Sequence, residues 1–126
     1  MSNEMSPPPL RYAVLRHEGV DRPHFDFLFE TSPGSMLKTW RLESWPVHDV
    51  QEAQPIRDHR PAFLTYQGTL TDDRGHVIRV DEGTCASEIA PRRVVVRLSP
   101  SNEQLLFEQD AGADTWHVRS TSSSPE

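Results

Sequence analysis

Short runs of alternating apolar and polar residues, each closed by a turn signal, dominate this chain. Leu10-Arg-Tyr-Ala-Val-Leu-Arg16 has the period-two character of a strand. His24-Phe-Asp-Phe-Leu-Phe-Glu30 alternates more strictly. In extended backbone Phe25, Phe27 and Phe29 share one face, and His24, Asp26, Leu28 and Glu30 share the other. The aromatic face reads as core; the opposite face, with polar groups two positions apart, is the unusual one. Thr31-Ser-Pro-Gly-Ser35 has turn composition, and Met36-Leu-Lys-Thr-Trp-Arg-Leu42 is a third strand, so the two strands form a hairpin.

Pro46 to Pro55 reads as a loop or a short helical turn. Phe63-Leu-Thr-Tyr66 leads through Gly68 into a strand ending near Leu70, and Asp72-Asp-Arg-Gly75 is a turn. His76-Val-Ile-Arg-Val80 is a strand closed by Asp81-Glu-Gly83. Arg92 to Leu98 is a strong strand with a turn at Ser99-Pro-Ser-Asn102, and Gln104–Glu108 and Thr115–Arg119 form a last hairpin. About seven or eight short, closely spaced strands predict a mostly β domain, a small barrel or sandwich with at most short helices.

The length of 126 residues fits one domain. The apolar fraction of 35% is low, and part of the deficit lies at the ends. Residues 1–9 are polar and Pro-rich and residues 120–126 are Ser-rich, so both read as disordered around a domain spanning 10–119. A net charge of −6 argues against nonspecific coating of nucleic acid, but leaves room for a local basic pocket. Of 13 basic residues only Lys38 is a lysine; arginine favours bidentate phosphate contacts, although GC-rich coding produces the same bias. The single cysteine, Cys85, permits no internal disulfide and no Cys-based zinc site, which fits a reducing compartment. No apolar run approaches the roughly 18 residues of a membrane span, and no secretory signal is visible. A cytoplasmic location is expected.

His17, His24 and Asp26 lie within ten positions of one another. If the first two strands pair, all three converge at one end of the sheet. Two imidazoles and a carboxylate suit Mn²⁺, Fe²⁺ or Zn²⁺ and leave coordination positions open, as a hydrolytic metal requires. A solvated polar strand face gives the same spacing. His59, between Asp58 and Arg60, fits a phosphate donor or general acid, or an ordinary loop histidine before Pro61. Lys38 is a phosphate contact or an outward-facing charge. His48, His76 and His117 read as surface or edge residues, and Trp40, Trp45 and Trp116 as core or rim packing.

Arg16-His-Glu-Gly-Val-Asp-Arg-Pro-His-Phe-Asp-Phe-Leu-Phe-Glu30 and Leu37-Lys-Thr-Trp40 resemble the opening of the 3′-phosphoesterase domain of bacterial DNA ligase D, and further similar blocks follow in the same order. Asp58-His59 followed by Gln67-Gly68 is similar to its Asp-His-Pro stretch leading to Glu-Gly. Gly75-His-Val-Ile-Arg-Val-Asp-Glu-Gly-Thr84 is similar to its Val-Ile strand, and Arg93–Leu98 and Trp116–Arg119 fit its closing strands. The resemblance implies a compact antiparallel β-barrel and a Mn²⁺-dependent activity on DNA or DNA–RNA 3′ ends. That activity removes a 3′-ribonucleoside or 3′-phosphate during end joining. Carried over by position, His17, His24 and Asp26 are metal ligands, His59 contacts phosphate, and Lys38 lies beside the active site, with Arg60 as a further charge contact. The family's arginine two positions after the metal Asp is Leu28 here, and its active-site tyrosine falls on Phe63. The implied partner is a nucleic-acid 3′ end. The expected protein is a stand-alone monomer, associating with a separate ligase or polymerase. A metal- and end-binding module without turnover is the alternative.

Overall fold

The computed structural model describes residues 8–122. Residues 1–7 and 123–126, in the segments expected to be disordered, lie outside the described residues. Among the described residues nine strands form one antiparallel sheet. They are β1 (Leu10–Glu18), β2 (His24–Glu30), β3 (Leu37–Leu42), β4 (Gln51–His59), β5 (Gly68–Thr69), β6 (His76–Ala90), β7 (Arg93–Ser99), β8 (Glu103–Gln109) and β9 (Trp116–Ser122). The order is β1-β2-β3-β4-β9-β8-β7-β6, and β6 pairs back onto β1, so the sheet closes in a barrel-like ring. β5 adds to the edge of β6 at His76 and Val77, short of the stretch that pairs with β7.

The inward face is the alternating apolar set of nearly every strand. Tyr12, Val14, Phe27, Phe29, Trp40, Leu42, Val96, Leu98, Leu105, Phe107 and Val118 form one buried cluster. Trp40 stacks on Phe107 at 4.3 Å between ring centroids, and Phe27 stacks on both Phe107 and Trp45. A second cluster, Ala13, Leu15, Leu28, Leu37, Leu64 and Val77, lies on the outer face of β1, β2 and β3. It is covered by a 3₁₀ turn at Pro61–Leu64, with Phe63 and Leu70 packed against it. β2 is therefore buried on both faces, and its polar face is not a solvated one: Asp26, Leu28 and Glu30 are 3% exposed or less.

Three expectations fail for identifiable reasons. β4 occupies much of the segment read as a loop. Its alternation is weak, with only Ala53 fully buried, and its pairing with β3 defines it. Pro55 lies beyond the Gln51–Ala53 stretch that pairs with β9, where one edge is unpaired and a missing N–H costs nothing. Phe63–Tyr66 is not extended. Pro61 fixes φ at the start of the 3₁₀ turn, and Phe63 and Thr65 donate to the carbonyls of Arg60 and Ala62. Asp81-Glu-Gly83 does not end a strand; β6 runs through it for 15 residues. The register slips between Val14 and Leu15 opposite, and a Cβ on Gly83 would clash with the Ser99 carbonyl oxygen. Val80 is the extra residue of that bulge, and glycine at position 83, paired with Tyr12, marks close strand approach rather than a turn. At the C-terminus β9 continues to Ser122, into the segment read as tail.

Glu30 ties the hairpin to β1. Its carboxylate accepts the Arg11 backbone N–H at 2.8 Å, the Gly34 N–H at 3.1 Å and the Arg11 guanidinium at 3.1 Å. Burial alone would raise its pKa, but these bonds together outweigh burial and hold it below the ordinary value. A depressed carboxyl pKa contributes stability that is fully present above the unfolded value, about 4.3, and lost as pH falls through the folded one. Thermal melts between pH 6 and pH 3 therefore fall more steeply for the wild type than for Glu30→Gln. Phe107→Ala, which opens the stacked core, destabilises by about 3–5 kcal/mol in urea unfolding.

Candidate metal centre and arginine-lined cleft

Strand register assembles the site. β1 and β2 place His17 directly opposite His24, and β2 and β3 place Asp26 opposite Arg41. Two-residue alternation along β2 brings His24 and Asp26 to the same outer face. The three expected ligands converge: one ligand atom from each of His17, His24 and Asp26 lies within 4.8 Å of the others.

The tautomers follow from the neighbours. His17 Nε2 lies 2.7 Å from the Arg74 carbonyl oxygen, and His24 Nδ1 lies 3.0 Å from that of Arg22. A carbonyl only accepts, so each of these nitrogens carries the hydrogen. The lone pairs of His17 Nδ1 and His24 Nε2 then face each other at 3.2 Å, with Asp26 Oδ1 3.4 Å from His24 Nε2. Asp26 Oδ1 is buried with no hydrogen-bond partner. Three acceptors pointing together with no donor between them are an arrangement that a cation can satisfy. Two ligand nitrogens about 2.1 Å from a shared metal sit about 3.0 Å apart at a right angle and about 3.4 Å apart at a tetrahedral angle. The His17–His24 and His24–Asp26 separations match this range, while His17 Nδ1 stands 4.0 Å from Asp26 Oδ2, wider than it; carbonyl-fixed imidazoles are the usual outer shell of a metal site. His17, His24 and Asp26 thus form a group able to hold a metal ion. Burial, with the Arg41 and His17 charges, holds the His24 pKa below its ordinary value against the Arg22 carbonyl and Asp26, which favours the neutral, ligating imidazole.

The Arg74 carbonyl is delivered by the turn after β5. Asp72 and Asp73 both have left-handed φ, 61° and 55°, and Arg74 N–H bonds back to the Thr71 carbonyl. Gly75 lets this turn reach β1: a Cβ there would clash with the Glu18 carbonyl oxygen.

The trio opens into a cleft of about 1010 Å³. His59 and Arg60 line it. His59 Nδ1 donates to the Arg57 carbonyl and to Thr39 Oγ1, both at 3.1 Å. Thr39 Oγ1 can accept because its own hydrogen goes to the Leu37 carbonyl. Nε2 of His59 is thereby left as the lone-pair nitrogen. Lys38 is not brought in. β3 alternation sets it on the Trp40 face, its Nζ 5.3 Å from that ring's centroid, and it does not line the cleft. Phe63 packs edge-on to His59. Phe63 and Tyr66 are also edge-on neighbours, because three residues return to one side of a 3₁₀ turn, but the Tyr66 hydroxyl is spent on the Thr69 carbonyl. His76 and His117 each have a carboxylate neighbour, Glu18 and Asp110.

The local basic pocket that the net charge left room for is present, and Arg22, Arg41 and Arg74 are its members that the motifs did not single out. Arg22, Arg41, Arg57, Arg60 and Arg74 all line the cleft, against Asp21, Asp26, Asp58 and Asp73. Arg11, Arg16 and Arg79, elsewhere, are paired with glutamates. Within the cleft only Arg74 bonds to its own turn; among the described residues Arg22, Arg57 and Arg60 make no side-chain hydrogen bond or ion pair. The same alternation that removes Lys38 placed Arg41 beside Asp26, so that signal was available in the sequence.

The chain matches no protein-family model and no curated protein sequence. Among the described residues no helix is long and apolar enough to cross a membrane.

Calorimetric titration with a divalent cation yields one site per chain. Asp26→Asn and His24→Ala each weaken it at least tenfold, and acidification weakens it in the wild type as protons take the same lone pairs. His76→Ala, outside the trio, leaves it unchanged.

Proposed function

We propose that this chain is a metal-dependent phosphoesterase that processes nucleic-acid 3′ ends in DNA repair, removing a 3′-phosphate or 3′-ribonucleoside. The observation that carries this reading is the meeting of three unsatisfied metal donors with uncommitted guanidiniums in one cleft. A strand end brings negative charge, and the cleft offers it arginine in an otherwise acidic protein. The substrate class itself comes from the ordered blocks that resemble the ligase D domain.

Mn²⁺ is the proposed ion, held by His17 Nδ1, His24 Nε2 and the Asp26 carboxylate. The chemistry such an ion supplies is polarisation of a phosphoryl oxygen and acidification of water. The chain's own residues do the rest. His59, fixed by Thr39 and the Arg57 carbonyl, offers Nε2 to the phosphate or leaving oxygen, as a hydrogen-bond donor when protonated. Arg57 and Arg60 hold the strand's phosphates. A monomeric, cytoplasmic enzyme working beside a separate ligase or polymerase completes the proposal.

The second reading, an end-binding module without turnover, draws on two residues. Leu28 is buried in the outer cluster and Phe63 lacks a hydroxyl, so neither supplies a phosphate contact.

Purified protein with Mn²⁺ and a 3′-phosphorylated primer–template releases inorganic phosphate, and Asp26→Ala abolishes the release. Tight binding of Mn²⁺ and of the strand end without phosphate release would select the module instead. Thr39→Val, which removes the Oγ1 acceptor, lowers kcat several-fold and shifts the acid limb of the pH–rate profile, whereas Thr39→Ser restores both.

A further inference from the structure

We propose that Arg41 is a phosphate clamp beside the metal trio, gripping two oxygens of the substrate phosphate through its guanidinium. The inference deepens the phosphoesterase reading and rests on it for the choice of ligand. Arg41 lies on β3 directly opposite Asp26 and lines the cleft. Its Nε is buried and has no hydrogen-bond partner. The nearest anion is Asp26 Oδ1, itself buried and unpartnered, and the two stand 4.0 Å apart. That distance gives Coulomb attraction without a hydrogen bond. Arg41 is therefore not spent on Asp26.

Among the cleft arginines its setting differs. Arg22, Arg57 and Arg60 are exposed, whereas Arg41 is half-buried, its side chain 42% exposed. A half-buried guanidinium already has little freedom to lose and is poorly hydrated, so it gains most from an anion. Nothing among the described residues satisfies its donors. With Asp26 given over to a cation, the planar fork next to it fits two phosphate oxygens, and a third oxygen faces the trio. A lysine at this position would keep the charge and lose the fork.

Inorganic phosphate titrated into the full chain saturated with Mg²⁺, a diamagnetic divalent cation, and followed by NMR of arginine Nε–H groups, tests this. The Arg41 resonance shifts on binding. Arg41→Gln weakens phosphate at least about tenfold, Arg41→Lys weakens it less, and Arg79→Gln, outside the cleft and paired with Glu82, leaves it unchanged. Mn²⁺ affinity in Arg41→Gln does not fall, because the change removes a positive charge near Asp26; this reports an intact fold and trio. Equal phosphate affinity in wild type and Arg41→Gln overturns the clamp, as does an absence of phosphate binding by the wild type. Turnover of 3′-phosphate with phosphate affinity unaffected by Arg41→Gln defeats the clamp alone. Absence of turnover with phosphate affinity lost in Arg41→Gln defeats the phosphoesterase reading and upholds the clamp.

Discussion

Burial of the Asp26 carboxylate is the constraint on which the cleft is organised. A carboxylate that is 3% exposed loses most of its hydration, which is costly unless a counter-charge lies near it. Around it the sheet provides His24 two residues away on the same strand, His17 from β1 and Arg41 from β3. None of these donates a hydrogen bond to Oδ1, and both imidazoles turn lone pairs inward because backbone carbonyls take their hydrogens. A cation placed among these acceptors would complete the local electrostatics. Asp26 Oδ1 is the one carboxylate oxygen among the buried polar atoms that lack a partner in the described residues.

The rest of the fold makes that placement possible. β2 is sandwiched between the aromatic interior and the outer apolar cluster under the 3₁₀ turn. Packing on both faces fixes its register against β1 and β3, and register decides which side chains meet across the strands. A one-residue slip of β2 would send Asp26 into the aromatic core. The Glu30–Arg11 and Glu30–Gly34 bonds hold the far end of the same strand. The outer cover also builds the cleft, because the chain that runs through the 3₁₀ turn and β5 carries His59, Arg60 and the Arg74 carbonyl to it.

Much of this was legible in the sequence because it rests on local periodicity. The β2 alternation located both metal-face residues and the aromatic core, and the Asp72–Asp73 turn was readable from composition. What was hidden depends on partners far along the chain. β4 has little alternation of its own and exists because β3 and β9 flank it. Gly83 has the composition of a turn residue, yet it serves the approach of Ser99 from another strand. Lys38 and Arg41 were separated by faces of one strand, which alternation does encode; the resemblance in the Leu-Lys-Thr-Trp block points to Lys38 and away from its neighbour. The arginines of the cleft come from four separate segments, and only closure of the sheet reveals them as one surface.

Everything proposed for the cleft requires that those inward lone pairs hold a metal. Anomalous X-ray scattering from a crystal grown with Mn²⁺ decides this. A single strong peak within coordination distance of His17 Nδ1, His24 Nε2 and an Asp26 oxygen is the predicted result, with both outer imidazole nitrogens still on the Arg74 and Arg22 carbonyls. A cleft with no peak, or with a proton bridging the two imidazoles in its place at saturating Mn²⁺, would contradict it.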